Sequence, residues 1–464
     1  MKHKTLISLA FLVLTSGCGD DEPIIGGAGG SAGQSTGGAA GSAGTSGNGA
    51  SSGSGATGGS AGTAGVGGNS GGAAGSSGAA GSSGAAGSSG AAGSAGSAGA
   101  GGVTSEPRLF VSVTDFATAT EIVALKLDGT KTAGLELSDP DSVVSVSGNR
   151  AFAIERTTAL VHPLDDDGKS TGTIDLSGAV ANASSQNPHD VVIAQGTSPL
   201  KAYVPLYDSG HLAVLDLEGG TLVKTIDLTG YADALDTDGG VEPDYAWFDS
   251  SRNRIWFTLA RIDLGTIVAP DYQLACTSKS LLMAIDVSDD SIVDLNGSAA
   301  GEGLELLHVG PTSVHYSATD DTLYVLSSGC FTSGASERSA LGVNAIQLSD
   351  LSQTEALKPA GDAFYSTLLW NPDAALIQSF VGFTEEWHSW KPAETTLGAL
   401  VAFVPGSTTT DGNGTLYGVD SVSDGSTTTF EVVSVDATNG TRSVVTQNPF
   451  ATSLAYTSGS TYRP

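Results

Sequence analysis

Residues 187–228 read NPHDVVIAQGTSPLKAYVPLYDSGHLAVLDLEGGTLVKTIDL. Apolar and β-branched residues fall into four short runs, VVIA, AYVPL, HLAVLDL and TLVKTIDL, separated by Gly, Ser, Asp and Pro. Runs of that length and composition, broken by turn formers, read as four strands joined by tight turns. No helical period of 3.6 competes with this reading.

The same unit recurs along the chain. Pro140, Pro188, Pro243, Pro311 and Pro449 each sit in a loop just ahead of a strand, and the stretch from Ala363 fits the frame without its Pro. A polar turn and a second strand follow at residues 151–154, 202–206, 255–259, 322–326 and 375–381. The third strands carry an apolar–x–apolar–Asp pattern or a near variant (HLAVLDL, LLMAIDV, VNAIQLSD, FEVVSVD). Irregularly spaced four-stranded repeats predict an all-β, β-propeller fold with loop insertions between blades. The domain opens on LFVSVTD…EIVALKLDGTKTAGLEL, which supplies second, third and fourth strands but no first. The chain ends on FATSLAYTSGS, a first strand with nothing after it. The two are expected to complete one blade and remove the open edge. Blade number turns on residues 364–445. If 399–405 and 430–436 belong to different blades there are seven; if the former is an insertion there are six. Seven is the preferred count.

Residues 187–228 resemble the YVTN-type repeat of bacterial propellers, within the broader lactonase-like group. The resemblance loosens at Pro140, Pro243 and Pro311 and fails after Thr384. It implies a propeller with its ligand site on the face that carries the blade-to-blade and second-to-third strand loops.

The segments ahead of the repeats are different in kind. MKHKTLISLAFLVLTSGCGD has Lys2 and Lys4, a short apolar run over residues 6–14, and small residues before Cys18. That run is too short to span a bilayer and reads as an export signal over residues 1–17. Thr15-Ser16-Gly17-Cys18 resembles a bacterial lipobox, with Thr15 where Leu is usual; the resemblance implies lipidation of Cys18. By the same resemblance, Gly19 rather than Asp after it implies the outer over the inner membrane of a bacterial envelope. The acyl chains would then supply membrane affinity at ~0.8 kcal/mol per buried methylene. Residues 26–102 are almost wholly Gly, Ala, Ser and Thr, with no charge and no aromatic ring. Nothing there can offset the entropy of ordering, so residues 18–102 are expected to be an anchor and a disordered stalk spanning ~45–50 Å. The propeller takes residues 103–464.

Lys+Arg 19 against Asp+Glu 49 gives a net charge of −30. Phosphate backbones demand the opposite sign, so nucleic acid is excluded as a partner. The partners expected are the membrane, through Cys18, and a protein, glycan or small-molecule ligand; the protein itself is expected to be a monomer.

Three candidate sites follow. The second-to-third strand loops lengthen at residues 261–280, 327–342 and 382–398, and long loops on one face carry function. They bring Tyr272 and the cluster Trp387, His388 and Trp390, aromatic groups suited to a sugar, a hydrophobic ligand or a protein. Cys276 and Cys330 fall in equivalent loops of adjacent blades, and in an oxidising compartment a disulfide is the default. His189-Asp190 and Asp244-Tyr245 enter inner strands near the channel mouth. In the loop ADALDTDGGVEPD, the DxDGG segment resembles the opening of a calcium loop, with Asp233, Asp236, Asp238 and Glu242 as oxygen ligands. The downstream Glu of that motif is missing. No cofactor is expected beyond this possible calcium ion. With no Ser-centred elbow and no His-x-x-x-His, a non-catalytic binding module is the first reading. A propeller enzyme, lactonase-like with a channel metal or quinoprotein-like, is the alternative, and a purely architectural envelope protein the third.

Overall fold

The computed structural model describes residues 106–463, apart from breaks at 116, 236–237, 269–272, 276–277, 298–302, 330–340, 360–362, 371–374, 382–383, 402–405, 412, 424–427, 438–439 and 451–455. The signal peptide, Cys18 and the stalk lie outside the described residues, as do Cys276, Cys330, Tyr272 and Asp236.

Seven antiparallel sheets make a seven-bladed β-propeller. Blade 1 joins the C-terminal strand Tyr456–Arg463 to Arg108–Thr114, Thr120–Lys126 and Lys131–Leu137. Blade 2 holds Ser142–Ser147, Arg150–Glu155, Leu160–Leu164 and Ile174–Asp175; blade 3 holds Val192–Ala194, Lys201–Leu206, His211–Asp216 and Thr221–Asp227. In blade 4, Pro243–Asp249, Arg254–Leu259, Leu281–Asp286 and Ser291–Ile292 are joined by Leu304–Glu305, which also pairs with the third strand. Blade 5 holds Pro311–Ser317, Thr322–Ser327, Gly342–Gln347 and Gln353–Leu357. Blade 6 has Ala363–Leu369, Ala375–Val381 and Thr384–Trp390, with Leu400 bridged to His388 on the outer side. Blade 7 holds Gly406–Thr410, Thr415–Ser423, Thr428–Asp436 and Arg442–Gln447. Residues 399–401 thus edge blade 6 while Thr428–Asp436 builds blade 7, the condition under which the sequence required seven. Thr229–Tyr231 is the one helical turn among the described residues, and no helix there is long and apolar enough to cross a membrane.

The ring closes as the sequence requires. Arg108–Thr114 pairs antiparallel with Tyr456–Arg463, from Arg108↔Arg463 to Thr114↔Tyr456, with an irregularity at Ser112/Val113. Successive residues of a strand face opposite sides, so each blade feeds two seams. Leu109, Val111 and Val113 pack against Tyr417, Val419 and Val432 of blade 7, while Phe110 packs with Ala151 and Ala153 of blade 2. Each of the other seams has its own buried cluster: Phe152 with Val204 and Leu215, Tyr203 with Phe257 and Met283, Trp256 with Leu323 and Val325, Tyr324 with Ile377 and Trp390, and Leu376 with Leu416 and Val433. At about 1.5–3 kcal/mol per fully buried large side chain, these seams dominate the stability.

Polar staples add to them. Asp290, at a turn with φ 58, reaches from blade 4 to Lys201 at 2.9 Å, to Lys224 at 3.1 Å and to the Tyr203 hydroxyl of blade 3. Burial alone would raise its carboxyl, but the hydrogen bonds from Tyr203, Lys201 and Lys224 outweigh burial and hold it below its ordinary 3.8.

One expectation is overturned here. Residues 382–398 are not a long loop: Thr384–Trp390 is the third strand of blade 6, in register with Ala375–Val381 from Val381↔Thr384 to Ala375↔Trp390. Its polar residues suggested a loop, but a strand between two seams buries alternate residues on both sides. The loop over residues 261–280 contains a small hairpin, Asp263–Val268 with Gln273–Ala275. The disulfide expected between Cys276 and Cys330 falls on residues outside those described and receives no support from the structure.

Two outcomes follow. Removing residues 456–464 should leave blade 1 with an open edge and lower the urea midpoint sharply; an unchanged midpoint would show that closure contributes nothing. Asp290→Asn should destabilise by about 3 kcal/mol near neutral pH, because Lys201 and Lys224 lose their counter-charge. Since the folded carboxyl sits below 3.8, that stabilisation is present above the unfolded value and lost as pH falls through the folded one. The gap between wild type and variant should therefore close in acid, as measured by denaturation at a series of pH values.

Candidate functional site

The upper mouth of the channel is the face where blade-to-blade connections enter the first strands. There a chain of polar side chains crosses blades 2, 3 and 4. Arg156 follows the second strand of blade 2, and its guanidinium lies 3.3 Å from Asp141, 3.2 Å from Asn187 Oδ1 and 3.1 Å from His189 Nε2. His189 Nδ1 meets Asp244 Oδ1 at 3.0 Å. An arginine can only donate, so Nε2 is the acceptor and the Nδ1–H is directed to Asp244. Both ring nitrogens are therefore engaged. Its ring face is taken too: Tyr207 stacks on it at 4.2 Å with an interplanar angle of 13°.

Local backbone holds these groups in place. The His189 amide donates to the Pro205 carbonyl and the Tyr207 amide to the Asn187 carbonyl, clamping the entry of blade 3 to its second strand. Asn187, at φ 48, uses its side chain to accept from Arg156 and donate to Asp208.

Asp190 sits one residue further down the channel. It accepts from Ser145 Oγ of blade 2 at 2.6 Å, from the Val191 amide at 2.7 Å and from the Ala246 amide of blade 4. Burial pushes its carboxyl above the ordinary value and Asp244 pushes the same way, against those hydrogen bonds. The tyrosines respond to the same surroundings. Burial raises Tyr207, with Glu242, Asp244 and Asp208 adding to the shift; burial raises Tyr245, with Asp244 again adding. Among these residues the mouth offers carboxylates, two phenols and the tied-down cation of Arg156.

Sequence reasoning brought His189, Asp190, Asp244 and Tyr245 to this face, and the structure places them together. Ser145, Arg156, Asn187 and Tyr207 were missed. Arg156 and Tyr207 occupy the same place in consecutive blades, the first residue past the second strand, so a blade-by-blade alignment would have paired them.

The aromatic cluster is a correction. Trp387 is 6% exposed in the seam with blade 7 and donates Nε1–H to Glu385 Oε1 at 2.8 Å. Trp390 is fully buried in the seam with blade 5 and donates to the Glu394 carbonyl. His388 lies between them in the strand, 3.1 Å from Glu386. Neither Trp offers an open stacking platform, since both are core; His388 is half-buried between them.

In the acidic loop Asp233 pairs with Arg261 at 2.7 Å, Asp238 caps the Gly240 amide, and Glu242 turns inward to the Ile262 amide. Among the described residues no group of three or more His, Cys, Asp or Glu is placed to hold a metal ion.

Trp387→Ala should cost about 3–5 kcal/mol through the cavity it leaves and leave any ligand affinity of the mouth unchanged in the folded fraction. A loss of binding with full stability would return the Trp to the site.

No family model matches the sequence, and no curated protein matches it. Solved structures do. The chain is similar to a periplasmic gluconolactonase of Pseudomonas aeruginosa, at 11% identity over 77% of this chain and 99% of that one, with a TM-score of 0.51. A protein from Lactobacillus plantarum matches at 12% identity over 77% and 99%, TM-score 0.48. A candidate 6-phosphogluconolactonase from Bacteroides uniformis matches at 13% identity over 77% and 100%, TM-score 0.47. At such identities the likeness is one of fold alone.

Proposed function

We propose that this protein is an exported, lipid-anchored envelope protein whose propeller binds a small polar molecule at the upper channel mouth without transforming it. The observation that supports binding over catalysis is the state of His189. A general base needs a free nitrogen within reach of the proton it takes. Here Asp244 holds Nδ1, Arg156 holds Nε2 and Tyr207 covers the ring. A histidine so saturated orients its neighbours and has no lone pair to offer.

The surroundings suit a neutral or cationic ligand. Asp141, Asp190, Asp208 and Asp244 line or flank the mouth against the guanidinium of Arg156, which Asp141 already pairs. Tyr207 and Tyr245 add aromatic surface of the kind sugars and amines stack on. Anchoring through Cys18 would hold this mouth at the envelope surface, on the stalk of residues 26–102.

A second reading rests on Asp190. A carboxyl pushed up by burial can act as an acid, and the gluconolactonase likeness supplies a substrate class, a lactone. In that reading Asp190, not His189, would carry the proton.

The test is a calorimetric screen of sugars, polyols, amines and sugar lactones against the intact protein. On the binding reading at least one compound binds without turnover, and Asp244→Asn and Tyr207→Ala each weaken it by about tenfold, or ~1.4 kcal/mol. Hydrolysis of a lactone that disappears in Asp190→Asn would overturn it in favour of the enzyme. For the anchor, Cys18→Ser should move the protein from the membrane fraction to the soluble one; retention in the membrane would remove the lipid from the proposal.

A further inference from the structure

On the blade 4 side of blade 5, away from the first strands, a second polar group is gathered. His308, in the connection between the two blades, is 2% exposed, and neither ring nitrogen has a hydrogen-bond partner among the described residues. A buried imidazole with two idle nitrogens is rare enough to require an explanation. Its ring lies over Gly342, where a Cβ would come within 2.7 Å of Nε2, so the glycine makes the space the ring occupies.

Asn344, two residues further along the same strand, points to the same side as Gly342. It is fully buried, its Nδ2 donates to Gln353 Oε1 at 2.8 Å, and its Oδ1 has no partner among the described residues. Gln353 is itself fixed by donating to the Glu305 carbonyl at 2.7 Å. That chain sets the orientation of the amide and leaves the oxygen as its free end. Glu355 is the cross-strand partner of Asn344, on the same face, and its Oε2 lies 3.7 Å from His308 Nε2.

That distance is informative. It is too long for a hydrogen bond. Two ligands on one ion, each with a bond of about 2.0–2.2 Å, lie about 3–4 Å apart. We propose that His308, Glu355 and Asn344 Oδ1 form a binding site for a first-row divalent metal ion, with Zn²⁺ the best match to one imidazole, one carboxylate and one amide oxygen. Water completes the coordination on the side where Glu355, 41% exposed, opens to solvent.

The charges around the site are consistent with this. Burial disfavours the charged form of the His308 ring, and Glu355 works the other way. Lys279 and Lys358 are the cations nearby. Lys279 is tied to the Leu307 carbonyl, and Lys358, 55% exposed and 3.9 Å from Glu355, is free to swing aside when the ion enters. Gln353 and Glu305 act as the outer shell that orients one ligand.

The experiment is equilibrium dialysis of the intact protein against Zn²⁺ with its thiols alkylated, so that only nitrogen and oxygen ligands compete, followed by metal analysis. One equivalent should be retained, and Co²⁺ in its place should give a visible d–d spectrum. His308→Ala and Glu355→Gln should each weaken retention by about tenfold or more, whereas Asp238→Asn, in the acidic loop, should not. Glu355 is exposed enough that its variant tests the site even if His308→Ala fails to fold. No retained ion, or retention that is the same in Glu355→Gln as in wild type, overturns the proposal.

Discussion

Everything in this molecule depends on pairing the strand Tyr456–Arg463 with Arg108–Thr114. A propeller blade cannot bury both its faces alone; each seam needs the next blade. With seven blades there are seven seams, and the pairing of the two distant segments gives blade 1, which forms two of them, its first strand. Closure converts an open arc with two exposed edges into a ring in which the apolar residues of each blade are covered on both sides. The longest-range contacts in sequence are therefore those that complete the fold, which places a loop-closure cost on folding before the last seam can repay it.

The alternation within strands explains where the aromatic residues went. Trp387 and Trp390 are three apart, an odd number, so they leave the strand on opposite sides and fill different seams. A stretch rich in Glu, His and Trp resembles an exposed binding loop when its partners are unknown. Once Thr384–Trp390 is set beside Ala375–Val381, Glu385 becomes the acceptor for the Trp387 indole and the Gln378 amide. The charged residues serve the aromatic ones.

Most of the architecture was legible in the sequence because the repeat is carried by strand period and turn chemistry, both local. The Pro-led entries marked five first strands and Ala363 a sixth. The remaining one, Gly406–Thr410, also follows a Pro, Pro405, but its GSTTT carries no apolar residue to mark a strand, so it left the blade count open between six and seven. The mouth was half legible. His189, Asp190, Asp244 and Tyr245 follow the Pro entries and could be placed on one face. Arg156 and Tyr207 reach the same point from the ends of second strands, and nothing in their immediate sequence distinguishes them. Side chains that meet across blades are set by register, and register between distant segments is not written locally.

That same distance in sequence gives the mouth its character. Asp141, Arg156, His189 and Asp244 come from three blades and form one chain of hydrogen bonds. Each link also fixes a first strand against its neighbour, so the groups that would meet a ligand are those holding the channel wall together. A charge buried at such a seam costs less when its partners come from both sides, which is how Asp190 collects a donor from blade 2 and an amide from blade 4. The polar groups of the mouth are thus held by one another across three blades, and on the proposed binding reading such an arrangement would lose little entropy when a ligand arrives.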